Sequence, residues 1–141
     1  MRAINHAMTG AIIGLSVAAP VAIPLAFASH FAMDALPHEG NLNIGKNGYK
    51  IFLVFDIALC IGLALMIFAI RPSYWWLAIL CAFLATSPDF MWLNKTKKPI
   101  QDRHAVVRLH KNVQWFQKPI GLVIEVIWAA ITSLCLYFLL R

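Results

Sequence analysis

Residues 51–70, IFLVFDIALCIGLALMIFAI, are the stretch that decides the fold class. Asp56 is the only charged residue in this stretch. A helix that crosses the hydrocarbon core of a bilayer needs about 20 consecutive, predominantly apolar residues. Residues 51–70 meet this requirement in both length and composition, and they therefore predict a transmembrane helix.

The composition of the whole chain points the same way. The chain has 141 residues, of which 61% are hydrophobic and only 13% are charged. A soluble domain carries about 25% charged residues. Because the apolar residues also come in long blocks and nothing resembles a linker, we predict one integral membrane domain over residues 1–141.

Five helical blocks can be drawn, which predicts an all-α, polytopic bundle of about five transmembrane helices. They cover approximately residues 4–18, 21–36, 51–70, 74–86 and 120–140. The first two are about 15 residues long, or roughly 23 Å of helix, which is short for a bilayer core of about 30 Å. Pro20 lies between them and Pro24 falls in the first turn of the second. A short hairpin is therefore favoured, and one kinked span is the alternative.

The basic residues orient the bundle. The net charge is +6, from 12 Lys and Arg against 6 Asp and Glu. In a chain this apolar, the excess indicates orientation in a membrane rather than nucleic-acid binding. If the basic segment 91–118 is cytoplasmic, the loop at 37–50 and the N-terminus are cytoplasmic too, which predicts the cytoplasmic (inner) membrane. Only Arg71 and Arg141 then lie outside, and ten basic residues lie inside: Arg2, Lys46, Lys50, Lys95, Lys97, Lys98, Arg103, Arg108, Lys111 and Lys118.

The same topology gathers the polar residues at one face of the membrane. All five histidines and all six acids fall on the cytoplasmic side. An ionisable group in hydrocarbon costs about 3 kcal/mol even on a lenient insertion scale, so such groups pair, face a wet cavity or bind a cofactor. The candidate functional residues are His6, His30, Asp34, His38, Asp56, Asp89, His104, His110 and Glu125.

His30 and Asp34 are the centre of the predicted site. They are four residues apart on one helical face, where imidazole and carboxylate can hold one divalent cation or form one hydrogen-bonded pair. Pro37 ends this helix, so His38 is displaced from the row. Nitrogen and carboxylate ligands favour Zn²⁺, with Mn²⁺ or Fe²⁺ as alternatives. The predicted metal ligands are His6, His30, Asp34, Asp89 and His110.

A metal ion in such a site could activate water for hydrolysis. With an open coordination position, it lowers the pKa of bound water to about 7. The candidate catalytic groups are Glu125 and His104, and either Glu125 or Asp34 could take the proton from that water. An anionic substrate group could be held by cations nearby, since arginine binds phosphate through a bidentate fork. The candidates for this role are Arg103, Arg108 and Lys111.

Each of these signals has a plain structural alternative. His30 and Asp34 could be a structural pair, and Asp56 could satisfy a helix interface. Asp89 could be a turn residue, and the histidines of the basic segment could be ordinary loop residues. The basic residues could only mark the cytoplasmic side and touch anionic lipid. The functional interpretation therefore depends on several helices converging on one place.

Several motifs together resemble a known group of proteins. They are His6 with Gly10, residues 29–38 (SHFAMDALPH), Pro88-Asp89, and the segment His104–Gln114 followed by Pro119, Gly121 and Glu125. These motifs resemble small bacterial membrane proteins that are similar to the family of membrane-bound metal-dependent hydrolases. That family usually follows Pro-Asp with a second acid and a histidine, whereas Phe90 and Met91 stand here. The resemblance implies a helical membrane protein with a metal site and hydrolytic activity.

These observations lead to three hypotheses of function. The first is a metal-dependent hydrolase at the cytoplasmic membrane face, acting on a lipid or phosphoester through a metal-activated water. The second is a non-enzymatic membrane protein whose polar cluster is structural or binds a lipid headgroup. The third is a small metal or ion carrier. It ranks last because the outer halves of the helices offer few polar groups: Ser16, Ser73, Thr132 and Ser133.

Overall fold

The computed structural model of the chain describes residues 1–39, 45–93, 105–113 and 120–141. These residues form six α-helices and one 3₁₀ helix without any strand, which confirms the all-α prediction. The helices are α1 (Ala3–Ser16), α2 (Ala19–Asp34), α3 (Gly45–Ile70), α4 (Trp75–Thr86), the 3₁₀ helix (Ser87–Leu93), α5 (Ala105–Val113) and α6 (Gly121–Leu139).

Two of these helices, α3 and α6, are long and apolar enough to cross a membrane. Their candidate spans are Asn47–Ile70 and Gly121–Leu139. Only 17% of the apolar window in each is buried inside the protein, so most of their apolar side chains face outward. A helix that is hydrophobic all round needs either a protein core or lipid around it. The outward faces therefore favour lipid, while the five-span topology and its orientation stay predictions.

The first two predicted helices are separate elements that form a hairpin. Val17 and Ala18 between them have extended backbone, with ψ angles of 142° and 141°. His6 near the start of α1 stacks on His30 near the end of α2, with ring centroids 4.1 Å apart. Because the start of one helix lies beside the end of the other, α1 and α2 run antiparallel.

The structure corrects several boundaries. α2 begins at Ala19, with Pro20 in its first turn, so Pro24 lies inside the helix rather than in its first turn. α2 also ends at Asp34, earlier than predicted. α3 begins at Gly45, so the loop predicted for residues 37–50 is wrong over its last part. Gly45 and Gly48 locally favour a loop, but glycine in a helix costs only about 1 kcal/mol, which a long helix tolerates.

The basic segment also contains a helix, which was not predicted because the segment is polar. α5 covers Ala105–Val113 within the predicted polar segment 91–118. It packs on α2 and on the 3₁₀ helix, and Val107 is its buried contact. Most of the other described side chains of α5 are exposed. One-sided burial of this kind is what stabilises a short amphipathic helix.

α1 is the central helix and packs on α2, α3, α4 and α6. It approaches α4 most closely, because Gly10 and Gly14 have no side chains and leave the two backbones in direct contact. A Cβ at Gly10 would lie 2.3 Å from the Cys81 carbonyl oxygen, and one at Gly14 would lie 2.6 Å from the Leu77 carbonyl oxygen. Small residues allow this approach, which is a common mode of helix packing in membranes. We call this contact the α1–α4 seam.

Candidate metal centre

Three buried side chains from the α1–α2 hairpin come together at its open end. His6 belongs to α1, whereas His30 and Asp34 belong to α2. One ligand atom from each lies within 4.8 Å of the others, and all three side chains are buried. His6 Nε2 is 3.1 Å from Asp34 Oδ1, and His30 Nε2 is 3.4 Å from Asp34 Oδ2. We call this set the His-His-Asp group, and it contains three of the five predicted metal ligands.

The spacing of the His-His-Asp group suits a small divalent cation. Nitrogen and oxygen ligands lie about 2.1 Å from Zn²⁺, so two ligands at a tetrahedral angle are about 3.4 Å apart. The distances of 3.1 and 3.4 Å between the imidazole and carboxylate atoms are close to that value. The group could therefore hold a metal ion with small movements of the side chains.

The hydrogen bond of His30 to α4 fixes which of its nitrogens faces the group. His30 Nδ1 lies 2.8 Å from the Ala85 carbonyl oxygen, which can only accept, so Nδ1 carries the hydrogen. In a neutral ring, Nε2 then directs a lone pair at Asp34 Oδ2 and at Asp89 Oδ1, 3.7 Å away. A lone pair that faces two carboxylates is an arrangement that a bound cation would stabilise. Metal-bound histidines commonly donate their other N–H to such a carbonyl.

Pro88 removes one backbone competitor for the Ala85 carbonyl. Ala85 lies in the last turn of α4, where carbonyls no longer have assured partners within the helix. The residue three positions later, at the 3₁₀ spacing, is Pro88, which has no N–H. The neighbouring Leu84 carbonyl accepts from both the N–H and the hydroxyl of Ser87. The proline after α4 thus helps to leave the Ala85 carbonyl to the imidazole.

Asp89 lies at the edge of the His-His-Asp group. It sits in the first turn of the 3₁₀ helix, directly after Pro88. Its side chain is 30% exposed, whereas the side chains of the three central residues are fully buried. The predicted ligand Asp89 thus connects the buried group to the surface of the protein.

A positive charge also lies on the central carboxylate. The amino group of Met1 is 2.7 Å from Asp34 Oδ1 and is buried with it. Asp34 therefore has nitrogen neighbours from Met1, His6 and His30. Each of these nitrogens lies within 3.4 Å of one of the carboxylate oxygens.

Asp56 lies at an interface between helices, which is the structural alternative named for it in the sequence analysis. The first N–H groups of an α-helix have no partner within the helix. Asp56 on α3 accepts hydrogen bonds from the N–H groups of Ala3 and Ile4 at the start of α1, at 2.8 and 3.1 Å. The buried carboxylate also complements the positive end of the α1 dipole. Asp56 thus attaches α3 to α1.

The structure does not bring Glu125 into the His-His-Asp group. The Oε2 atom of Glu125 accepts a hydrogen bond from the N–H of Arg2 and pairs with its Nε, both at 3.3 Å. The Oε1 atom accepts from the N–H of Glu39 at 2.9 Å. Asn5 Nδ2 donates to the Glu125 backbone carbonyl at 3.2 Å. Glu125 therefore connects α6 to the start of α1 and to the segment after α2.

The remaining predicted residues belong to the basic segment. Arg108 is exposed on α5 and takes no described part in the His-His-Asp group. The other predictions lie outside the described residues, or on α5 with side chains that the structure does not describe: Arg103, His104, His110 and Lys111.

Sequence reasoning missed several contributors to this end of the bundle, among them Arg2, Asn5 and Ala85. Arg2 and Asn5 contact Glu125, and the Ala85 carbonyl orients His30. Only Ala85 had a sequence signal, because a proline three residues later removes the partner of a 3₁₀ carbonyl. The roles of Arg2 and Asn5 depend on how α6 packs on α1, which no local pattern encodes.

Comparisons of the chain with protein-family models, with curated proteins and with solved structures found no match. The resemblance to membrane-bound metal-dependent hydrolases therefore stays a prediction.

Proposed function

We propose that this chain is a membrane-embedded, metal-dependent hydrolase that acts on a lipid or phosphoester at the cytoplasmic face of the inner membrane. The observation that carries the proposal is the orientation of His30. Its Nδ1–H is held by the Ala85 carbonyl, and its Nε2 faces the carboxylates of Asp34 and Asp89. This arrangement suits a cation held by the imidazole nitrogen and the Asp34 carboxylate, with Asp89 beside it.

His6, His30 and Asp34 would hold the ion, and Zn²⁺ fits two imidazoles and a carboxylate best. Mn²⁺ and Fe²⁺ are the alternatives among metals that accept these ligands. A bound divalent ion would supply Lewis acidity to water and to an ester oxygen. The group is buried between two helices, so the ligands are held by packed elements rather than by a loop.

Asp89 is the proton acceptor in this proposal. It lies beside the group, and its side chain is partly exposed, so water and substrate reach it from the surface. Asp89 takes a proton from the attacking water as the new P–O bond forms and the ester P–O bond breaks. The proton then passes to the leaving oxygen. This role replaces the one predicted for Glu125, whose oxygens accept hydrogen bonds from Arg2 and Glu39.

The substrate class follows from the setting of the group. α3 and α6 present apolar faces that favour lipid, and α5 packs against α2 and the 3₁₀ helix that carries Asp89. Arg108 is exposed on α5 and could pair with a phosphate. A lipid headgroup at the membrane surface would meet both the cation and the carboxylate.

Metal analysis of the purified, detergent-solubilised chain tests the metal centre. The wild type should contain one equivalent of a transition metal, and His30→Ala and Asp34→Ala should each lower the affinity at least about tenfold, which is the loss seen when only an outer partner is removed. Asn112→Ala, an exposed change on α5, is the matched control and should keep the metal. Wild-type protein without stoichiometric metal would refute the centre.

Turnover of a synthetic phosphodiester separates catalysis from metal binding. Asp89→Asn should keep the metal and lower kcat by about 100-fold or more, as expected for loss of a general base. Metal-loaded wild type that shows no hydrolysis of lipid or synthetic phosphoesters would leave a metal centre without the proposed reaction.

One observation favours a structural role as the second candidate. The Met1 amino group lies on Asp34, and acids from α2, α3 and α6 contact the residues just before α1 or at its start. In this alternative the polar cluster anchors α1 without binding metal. Alanine substitutions at His30 and Asp34 would then lower the melting temperature and change no metal content.

A further inference from the structure

Three buried polar atoms beside α6 are acceptors without a donor among the described residues. They are His38 Nε2, Glu39 Oε2 and Asn5 Oδ1. A buried polar group without a partner costs about 1–3 kcal/mol, so each such atom in a native protein calls for an explanation. Each of the three residues makes a hydrogen bond through another of its atoms: His38 through Nδ1, Asn5 through Nδ2 and Glu39 through its backbone N–H.

The hydrogen bonds of His38 and Asn5 show that the unpartnered atoms carry lone pairs. His38 Nδ1 donates to the Leu36 carbonyl at 2.9 Å, so Nε2 in the neutral ring is an acceptor. Asn5 Nδ2 donates to the Glu125 carbonyl, so its oxygen is the free end of the amide. Glu39 contributes a carboxylate oxygen. One imidazole nitrogen and two oxygens therefore point electron pairs into the protein.

All three residues lie against the first turns of α6. The backbone of His38 and Glu39 crosses Gly121 so closely that a Cβ there would lie 2.2 Å from the His38 carbonyl carbon. Glu39 donates its N–H to Glu125, and Asn5 bonds the backbone of the same residue. The absent side chain at Gly121 thus lets the segment after α2 reach the buried side of α6.

We infer that His38, Glu39 and Asn5 form a second divalent-cation site, separate from the His-His-Asp group. The charge in this region supports a cation, because two acids meet one described basic group: Arg2 pairs with Glu125, and Glu39 has no ion pair among the described residues. Two oxygens and one imidazole form a harder ligand set than two imidazoles and one carboxylate. Such a set suits Mn²⁺, whereas the His-His-Asp group suits Zn²⁺. The inference does not require the hydrolase activity.

A Mn²⁺ titration followed by electron paramagnetic resonance tests the second site. The metal-free full chain is first given one equivalent of Zn²⁺, and the free Mn²⁺ signal is then measured as Mn²⁺ is added. The wild type should remove one equivalent of Mn²⁺ from solution. His38→Gln and Glu39→Gln should each weaken Mn²⁺ binding at least about tenfold and leave the Zn²⁺ content unchanged.

His30→Ala is the reciprocal control, and it should lose Zn²⁺ while it keeps the Mn²⁺ site. Glu39→Gln keeps the backbone N–H that bonds Glu125, so it tests the ligand even if His38→Gln destabilises the chain. Wild type that binds no Mn²⁺, or binding that both glutamine variants retain, overturns the second site. A wild type that binds Mn²⁺ but no Zn²⁺ refutes the His-His-Asp centre and leaves the second site standing.

Discussion

The α1–α4 seam and the open end of the α1–α2 hairpin are built in opposite ways. At the seam, glycines bring two backbones into contact without polar side chains. At the open end, buried histidines, acids and an amide from several elements contact one another. Ala85 belongs to both regions, because its Cβ would meet a side chain at Gly10 at 2.8 Å while its carbonyl accepts from His30. The seam therefore sets the geometry on which the polar chemistry of the open end depends.

The largest effect is expected at the seam, from Gly10→Ala. The new Cβ would lie 2.3 Å from a backbone oxygen that has no flexible end to move, so α1 and α4 must separate. We expect a loss of about 3 kcal/mol or more in the free energy of unfolding, since overpacking typically costs 1–3 kcal/mol when side chains can adjust. Thermal unfolding in detergent measures it.

Gly62→Ala is the matched control for this prediction. A Cβ at Gly62 on α3 meets nothing within 4 Å, and alanine favours a helix by about 0.5–1 kcal/mol over glycine. The control should therefore be neutral or stabilising. If Gly10→Ala is as stable as Gly62→Ala, the close approach of α1 and α4 is wrong, and with it the position of Ala85.

A smaller effect is expected at the open end, from Asp56→Ala. The change removes the acceptor of two N–H groups at the start of α1, and loss of a capping side chain costs about 0.5–2 kcal/mol. We expect a value near 2 kcal/mol because the site is buried. Asp56→Asn keeps one acceptor oxygen and should be intermediate. Equal melting temperatures for the wild type and both variants would show that Asp56 does not stabilise the contact between α3 and α1.

The comparison also separates what the sequence could predict from what it could not. Long apolar blocks predicted the helices, and the i, i+4 spacing of His30 and Asp34 predicted their common face, because both patterns are local. His6 was expected at the same end because a hairpin places the start of α1 beside the end of α2. The contacts of Glu125 with Arg2 and Glu39 depend on packing between distant elements, which periodicity does not encode.

The same limit explains the errors at helix ends. The helical start of α3 at Gly45 and the helix α5 carry glycine or polar residues that locally favour a loop. Tertiary packing overrides such preferences, since they amount to about 1 kcal/mol per residue or less. The end of the fourth helix was predicted at residue 86, as found, but the 3₁₀ helix after it was not predicted. The bond of His30 to the Ala85 carbonyl depends on how α2 packs on α4.

The smallest predicted effect joins the two regions through Pro88. Pro88→Ala restores an N–H that can bond the Ala85 carbonyl, so it competes with His30 Nδ1 for the same oxygen. Loss of an outer hydrogen bond to a ligating histidine lowers metal affinity about 10- to 100-fold, and we expect the lower value because the imidazole stays in place. Competition with a fluorescent chelator measures the affinity.

Ser87→Ala is the control, because it removes only the hydroxyl on the Leu84 carbonyl and should leave metal affinity unchanged. Equal losses in both variants would mean that the end of α4 acts through general stability, whereas a loss in Pro88→Ala alone would show that a helix-ending proline orients the imidazole.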